Sequence, residues 1–179
     1  MKKTNVRILV QAALFLALAL VLPFLTGQIP EIGSMLCPMH IPALLCGFFC
    51  GWTWGLGVGF VAPVLRSVIF GMPPMFPVAV CMSLELAAYG AVAGWMYCAL
   101  PRKKTSVYVS LLTAMVAGRL VWGAARFLCA GLDVSVFGLS AFWAGAVTTA
   151  VPGILVQLLL IPVLVMALEK QTAPVSRKS

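Results

Sequence analysis

Charged side chains are scarce in this chain. They make up 9% of its 179 residues, with Lys+Arg 12, Asp+Glu 4 and one histidine. A soluble domain of this length carries about 25%, so the chain cannot cover its own surface against water. The four acids are Glu31, Glu85, Asp133 and Glu169. That leaves few groups for acid–base or metal chemistry, and no Walker A, HExxH or GxSxG sequence occurs. The chain is therefore expected not to be an enzyme and to bind no cofactor or metal. None of the six cysteines (Cys37, Cys46, Cys50, Cys81, Cys98, Cys129) forms a CxxC pair. Most lie in apolar runs and are expected to pack as small apolar residues.

What is present is hydrophobic: 63% of residues, with a mean hydropathy of +1.10. The solvent for most of this protein is lipid. The expected architecture is all-α, a single membrane domain of six transmembrane helices. They are expected over residues 7–26, 40–54, 56–70, 78–100, 106–130 and 138–168, with a polar cytoplasmic tail over 169–179. The basic start and apolar run from Ile8 to Leu25 resemble a signal peptide, but the run is long and no clear A-x-A site follows, so it is expected to be a retained first helix. The breakers are the Gly27–Met39 loop, a turn near Trp52–Gly55, GMPPMFP (Gly71–Pro77), PRKK (Pro101–Lys104) and GLDVSVF (Gly131–Phe137). The last helix is long enough to be tilted, or broken at Pro152 or Pro162.

Charge placement tests this count. Lys2, Lys3 and Arg7 precede the first apolar run, Arg102, Lys103 and Lys104 follow the fourth, and Lys170, Arg177 and Lys178 lie in the tail. Six crossings put all nine on one side, and basic flanks mark the cytoplasm; five would split them. Both termini are thus expected inside. The clusters carry no aromatic interleaving, so no nucleic-acid partner is expected. The loops 27–39, 71–77 and 131–137 then face outward. Their prolines and glycines fit ligand capture from outside, or simply end helices.

Polar side chains within apolar runs normally face a cavity or a partner in the bundle, since a charge at mid-bilayer costs about 3 kcal/mol or more. His40, Arg66, Glu85, Arg119, Arg126 and Gln157 are of this kind. Arg66 and Arg126 fall near outer helix ends, and Glu85 in the outer half of the fourth helix with Tyr89 four residues on. These can line an outward pocket for an anionic or zwitterionic ligand, because arginine's planar fork suits carboxylates. Equally, Glu85 can pair internally with Arg66 or Arg126 and lock helices. Arg119 shares a face with Arg126 and lies deep for a ligand. His40, in PMHIP, is a ligand contact or a structural cap; Trp143 lines the pocket or anchors at the interface; Gln157 lines it or bridges helices. Small residues recur every four positions, at Ala13 and Ala17, at Gly47, Gly51, Gly55 and Gly59, and at Gly90 and Gly94, a spacing that lets helix backbones approach closely.

Taken together, AxxxA (Ala13, Ala17), HIPALLCGFFCGWTWGLGVGFVAP (His40–Pro63), GMPPMFP and ELAAYGAVAG (Glu85–Gly94) resemble the substrate-specific (S) component of an energy-coupling factor (ECF) transporter. The resemblance implies high-affinity capture of a vitamin or related organic micronutrient from outside a prokaryotic plasma membrane. It implies assembly with a transmembrane coupling (T) subunit and two ABC ATPase subunits, which hydrolyse the ATP. Ala13 and Ala17 would meet the coupling subunit. His40, Arg66, Glu85, Tyr89, Arg126 and Trp143 would contact substrate, with folate, pantothenate, riboflavin and a queuosine precursor all open as ligands. The competing expectation is a stand-alone ion-coupled transporter using Glu85 as its titrating acid.

Overall fold

The computed structural model describes residues 6–26, 38–101, 103–131, 138, 142–145 and 151–169. The expected outer loops 27–39 and 131–137 lie mostly outside these residues. So do the tail beyond residue 169, Lys2, Lys3, Arg102, Glu31, Asp133 and Cys37.

The described residues are helical, with no strand among them. The helices are α1 (Val6–Val21), α2 (His40–Cys50), α3 (Trp52–Phe70), α4 (Val80–Ala99), α5 (Lys104–Cys129) and α6 (Val151–Glu169). A tighter turn, Leu22–Thr26, extends α1, and a wider one, Met75–Ala79, leads into α4. Five helical stretches are long and apolar enough to cross a membrane: Val6–Phe24, Trp52–Phe70, Met75–Ala99, Lys104–Cys129 and Val151–Leu168. Their outward faces carry apolar side chains such as Leu120, Leu128, Leu155, Leu159 and Val163, as lipid requires.

α2 differs. Its 11 residues reach only about 16 Å, against a hydrocarbon core of about 30 Å. Every residue except Phe49 is buried, so protein surrounds this helix. Gly51 ends it with φ +91, in the left-handed region that glycine adopts without strain. The chain turns there, one residue ahead of the expected Trp52–Gly55, and α3 returns alongside.

Glycines then let three helices touch backbone to backbone. A Cβ added at Gly47 of α2 or at Gly55 of α3 would strike the carbonyl oxygen of Gly90 on α4, and one at Gly59 would strike that of Leu86. A Cβ at Gly94 would meet the Trp52 nitrogen at 2.6 Å and the Gly47 oxygen at 2.7 Å. The recurring glycines of the sequence are thus spent inside the chain, except Gly51, whose Cβ would meet nothing. A core of Leu44, Phe48, Ala93, Val107, Leu111, Ile161 and Val165 joins α2, α4, α5 and α6.

Proline marks a helix end at one place and not at another. Gly71 (φ +69) closes α3 ahead of Pro73, Pro74 and Pro77, and α4 begins at Val80, two residues later than expected. Pro162, by contrast, lies within α6, which continues past it. The expected single helix from 138 to 168 appears as Val151–Glu169 with a short helical turn over residues 142–145, and 146–150 lie outside the described residues.

Candidate functional site

Glu85 sits in the second turn of α4, facing inward, with 2% of its side chain exposed. Buried in a bundle that excludes water, a carboxylate needs a cation. Two basic side chains converge on it. Arg119 Nη1 of α5 lies 3.0 Å from Glu85 Oε1, and His40 Nε2 at the start of α2 lies 3.2 Å from the same oxygen. Arg119 is 14% exposed and His40 2%. The Tyr89 ring, one turn below Glu85, meets the His40 imidazole edge to face at 5.0 Å. Gly118, beside Arg119, makes room for that ring, since a Cβ there would run 2.5 Å from Tyr89 carbons. Three helices thus place an acid, a guanidinium, an imidazole and a phenol ring in one buried group.

Three buried polar atoms on three helices make no hydrogen bond within the described residues: His40 Nδ1 in the group itself, and, elsewhere in the bundle, Ser110 Oγ on α5 and Gln157 Oε1 on α6. All three residues are at least 98% buried. An orphaned buried polar atom costs about 1–3 kcal/mol, and such groups call for a partner. Gln157 lies one turn ahead of the core residue Ile161 on the same helix, and its Oε1 is the atom left without a hydrogen bond.

The other expected site residues have contacts of their own. Arg66, 4% exposed, donates from Nη1 to the backbone carbonyl of Leu20 on α1 at 2.6 Å. Its guanidinium lies 4.9 Å from the Phe24 ring centroid and 5.4 Å from that of Phe70. Glu85 makes an internal ion pair, the alternative left open from sequence, with Arg119 as its partner, and Arg66 fastens α3 to α1. Arg126 lies over the indole of Trp122, one turn back on α5, at 6.0 Å. That ring contacts Phe142 at 6.3 Å between centroids, so the 142–145 turn packs on the last turns of α5. Trp143 in the same turn is 57% exposed. Ala13 and Ala17 are both exposed on α1, while Ala12 and Ala19 are buried against the bundle.

Sequence position alone makes Arg119 look too deep for this group. Arg119's spacing of seven from Arg126 was visible; the reach of its side chain was not. Among the described residues no group of three or more His, Cys, Asp or Glu could hold a metal ion.

A chain whose described residues form helices, five of them apolar and of membrane-spanning length, closed around a buried polar cluster, is a multi-pass membrane protein. The chain belongs to the family of ECF transporter substrate-specific components, whose family model matches residues 7–165. Proteins of this family bind substrate for transport and are not enzymes; a small-molecule substrate and ECF T and ATPase subunits are the partners general to the family. Comparison with curated proteins and with solved structures finds no match.

Proposed function

We propose that this chain captures a vitamin or related organic micronutrient from outside a prokaryotic cell. The captured ligand binds at the buried group of His40, Glu85, Tyr89 and Arg119. The observation that carries this reading is the convergence of three helices on one acid, with His40 Nδ1 in the same group left without a partner. Arg119 holds an acceptor or carboxylate of the ligand, Glu85 takes a donor, and Tyr89 offers its ring face and edge. Arg126, Trp122 and Trp143 form the rim through which the ligand enters. Arg66, already engaged by Leu20 and two rings, holds α1 in place.

The orientation has both termini inside and six crossings, α2 and α3 together forming one inward and outward pair. The basic residues Arg7, Lys103 and Lys104 at helix ends support it. The exposed Ala13 and Ala17 face then meets the coupling subunit, and the partner ATPases hydrolyse the ATP, with no cofactor held by this chain. An ion-coupled carrier working alone would need a carboxyl that exchanges freely, and Glu85 already contacts two basic groups, which favours capture.

Thermal unfolding of the detergent-purified chain against folate, pantothenate, riboflavin and queuosine precursors tests the reading. A ligand at about 100 times its Kd adds roughly 2.7 kcal/mol. A shift with one compound that disappears in Arg119→Ala, while the unliganded variant still melts cooperatively, supports it. A shift that survives Arg119→Ala moves the site elsewhere, and proton- or sodium-dependent uptake by the chain alone would replace the reading with the carrier.

A further inference from the structure

Cys81 lies in the first turn of α4 and Cys129 is the last residue of α5. Their sulfurs are 3.7 Å apart. Cys81 is fully buried and Cys129 partly exposed. From sequence both were expected to be inert packing residues. We propose that they form a redox-active dithiol that closes to a disulfide, fastening the open end of the α4–α5 hairpin.

Three observations carry this. First, the sulfurs already touch across two helices, and a disulfide at about 2.05 Å asks for an approach of less than about 2 Å. Second, exposure is unequal. Oxidant reaches Cys129, and Cys81 waits behind it as the resolving thiol, the usual layout of a reversible cysteine switch. Third, the position is one where a bond matters. The short turn from Leu100 to Lys103 already joins the other ends of α4 and α5. Between that turn and the cysteine pair lie the Glu85–Arg119 ion pair and Tyr89 against Gly118. A disulfide would tie the two helices at both ends, with the polar group held between.

The chemistry balances with a peroxide as oxidant. The Cys129 thiolate attacks one peroxide oxygen, the O–O bond breaks, and Cys129 becomes a sulfenic acid while hydroxide leaves and takes up a proton as water. The Cys81 sulfur then attacks the sulfenic sulfur, its proton leaves with the hydroxyl as a second water, and the S–S bond forms. Two thiols lose two electrons and the peroxide gains them. That this end of the hairpin faces the oxidising side rests on the orientation proposed above; the bond between the thiols does not.

The test uses the full chain, purified reduced in detergent and treated with hydrogen peroxide. Non-reducing digestion and mass spectrometry should yield one peptide pair joining Cys81 to Cys129, lost on adding a reductant. The oxidised protein should unfold at a higher temperature than the reduced one. In Cys81→Ser, Cys129 should stop at the sulfenic acid and be trapped by dimedone. The proposal is overturned if, after oxidant, both cysteines are still alkylated by maleimide in denaturant, or if Cys129 is joined to any cysteine other than Cys81. The digest of the unmutated chain gives this answer whether or not the variant folds, and it needs neither a substrate nor a known orientation.

Discussion

At the scale of single residues, the buried ion pair explains why one arginine out of three matters most to the fold. Glu85 and Arg119 compensate each other's charge in the largely buried interior. Removing one partner of such a pair typically costs about 3–5 kcal/mol, while replacing both with apolar groups costs far less. Glu85→Leu or Arg119→Met alone should therefore lower the denaturation midpoint markedly in detergent, and the double variant should recover most of the loss. Equal losses in all three would mean the pair is not coupled. Arg66 and Arg126 should separate in a different way. Arg66→Met removes the bond to the Leu20 carbonyl and should destabilise by about 1–3 kcal/mol. Arg126→Ala should weaken ligand binding by about 1.5–3 kcal/mol, where Arg66→Met should leave it unchanged; calorimetry on the two variants checks the split. Sequence exposed the importance of Glu85, since a lone acid in an apolar run must be compensated. It did not expose the partner. Cys81 lies opposite Cys129 and Tyr89 opposite Gly118, so the Arg119 backbone is about one turn deeper than that of Glu85. The length of an arginine side chain covers that turn. Depth judged from sequence position follows the backbone and misses this reach.

At the scale of elements, glycine spacing was legible and its destination was not. Repeats every four residues announced close helix approach, but whether within the chain or toward a partner is a tertiary matter. The structure divides the repeats. Gly47, Gly55, Gly59, Gly90 and Gly94 meet backbone inside the bundle, while Ala13 and Ala17 face outward. Two glycines on one helix make a direct comparison. Gly59→Ala drives a methyl into the Leu86 carbonyl, which cannot step aside without moving α4, and should cost about 1–3 kcal/mol. Gly57→Ala meets nothing within 4 Å and should be neutral or slightly stabilising through helix propensity. Similar midpoints for the two variants would contradict the backbone contact. Boundaries were less legible where two helices share one apolar run. His40–Phe70 reads as continuous hydrophobicity, and only the left-handed backbone at Gly51 fixes where it divides. Pro162 is open from sequence as a break or as part of one tilted helix, and α6 runs through it, as membrane helices tolerate.

At the scale of the whole molecule, composition alone established a helical membrane protein, because no other fold buries so much apolar sequence with so few charges. The number of crossings is harder to read from pattern, since α2 is half the length a bilayer asks for and is sheltered by its neighbours instead. The exposed alanine face carries the assembly prediction. Ala13→Trp should leave the isolated chain's unfolding temperature and ligand affinity unchanged, and should abolish co-purification with a coupling subunit; a complex that survives this bulky change would place the interface elsewhere. The glycine seam has a mechanical consequence for such an assembly. Where backbone rests on backbone there is no cushion of side chains to shear, so α2, α3 and α4 behave as one stiff plate, with α1 riveted to it through Arg66 and Leu20. A push on α1 from a partner would tilt that plate as a unit, and the give would have to come from α5 and α6. Spin labels on α1 and α3 should accordingly keep a narrow, constant separation with and without ligand, while a pair on α3 and α6 broadens or shifts; the reverse pattern would put the joint on the other side of the molecule.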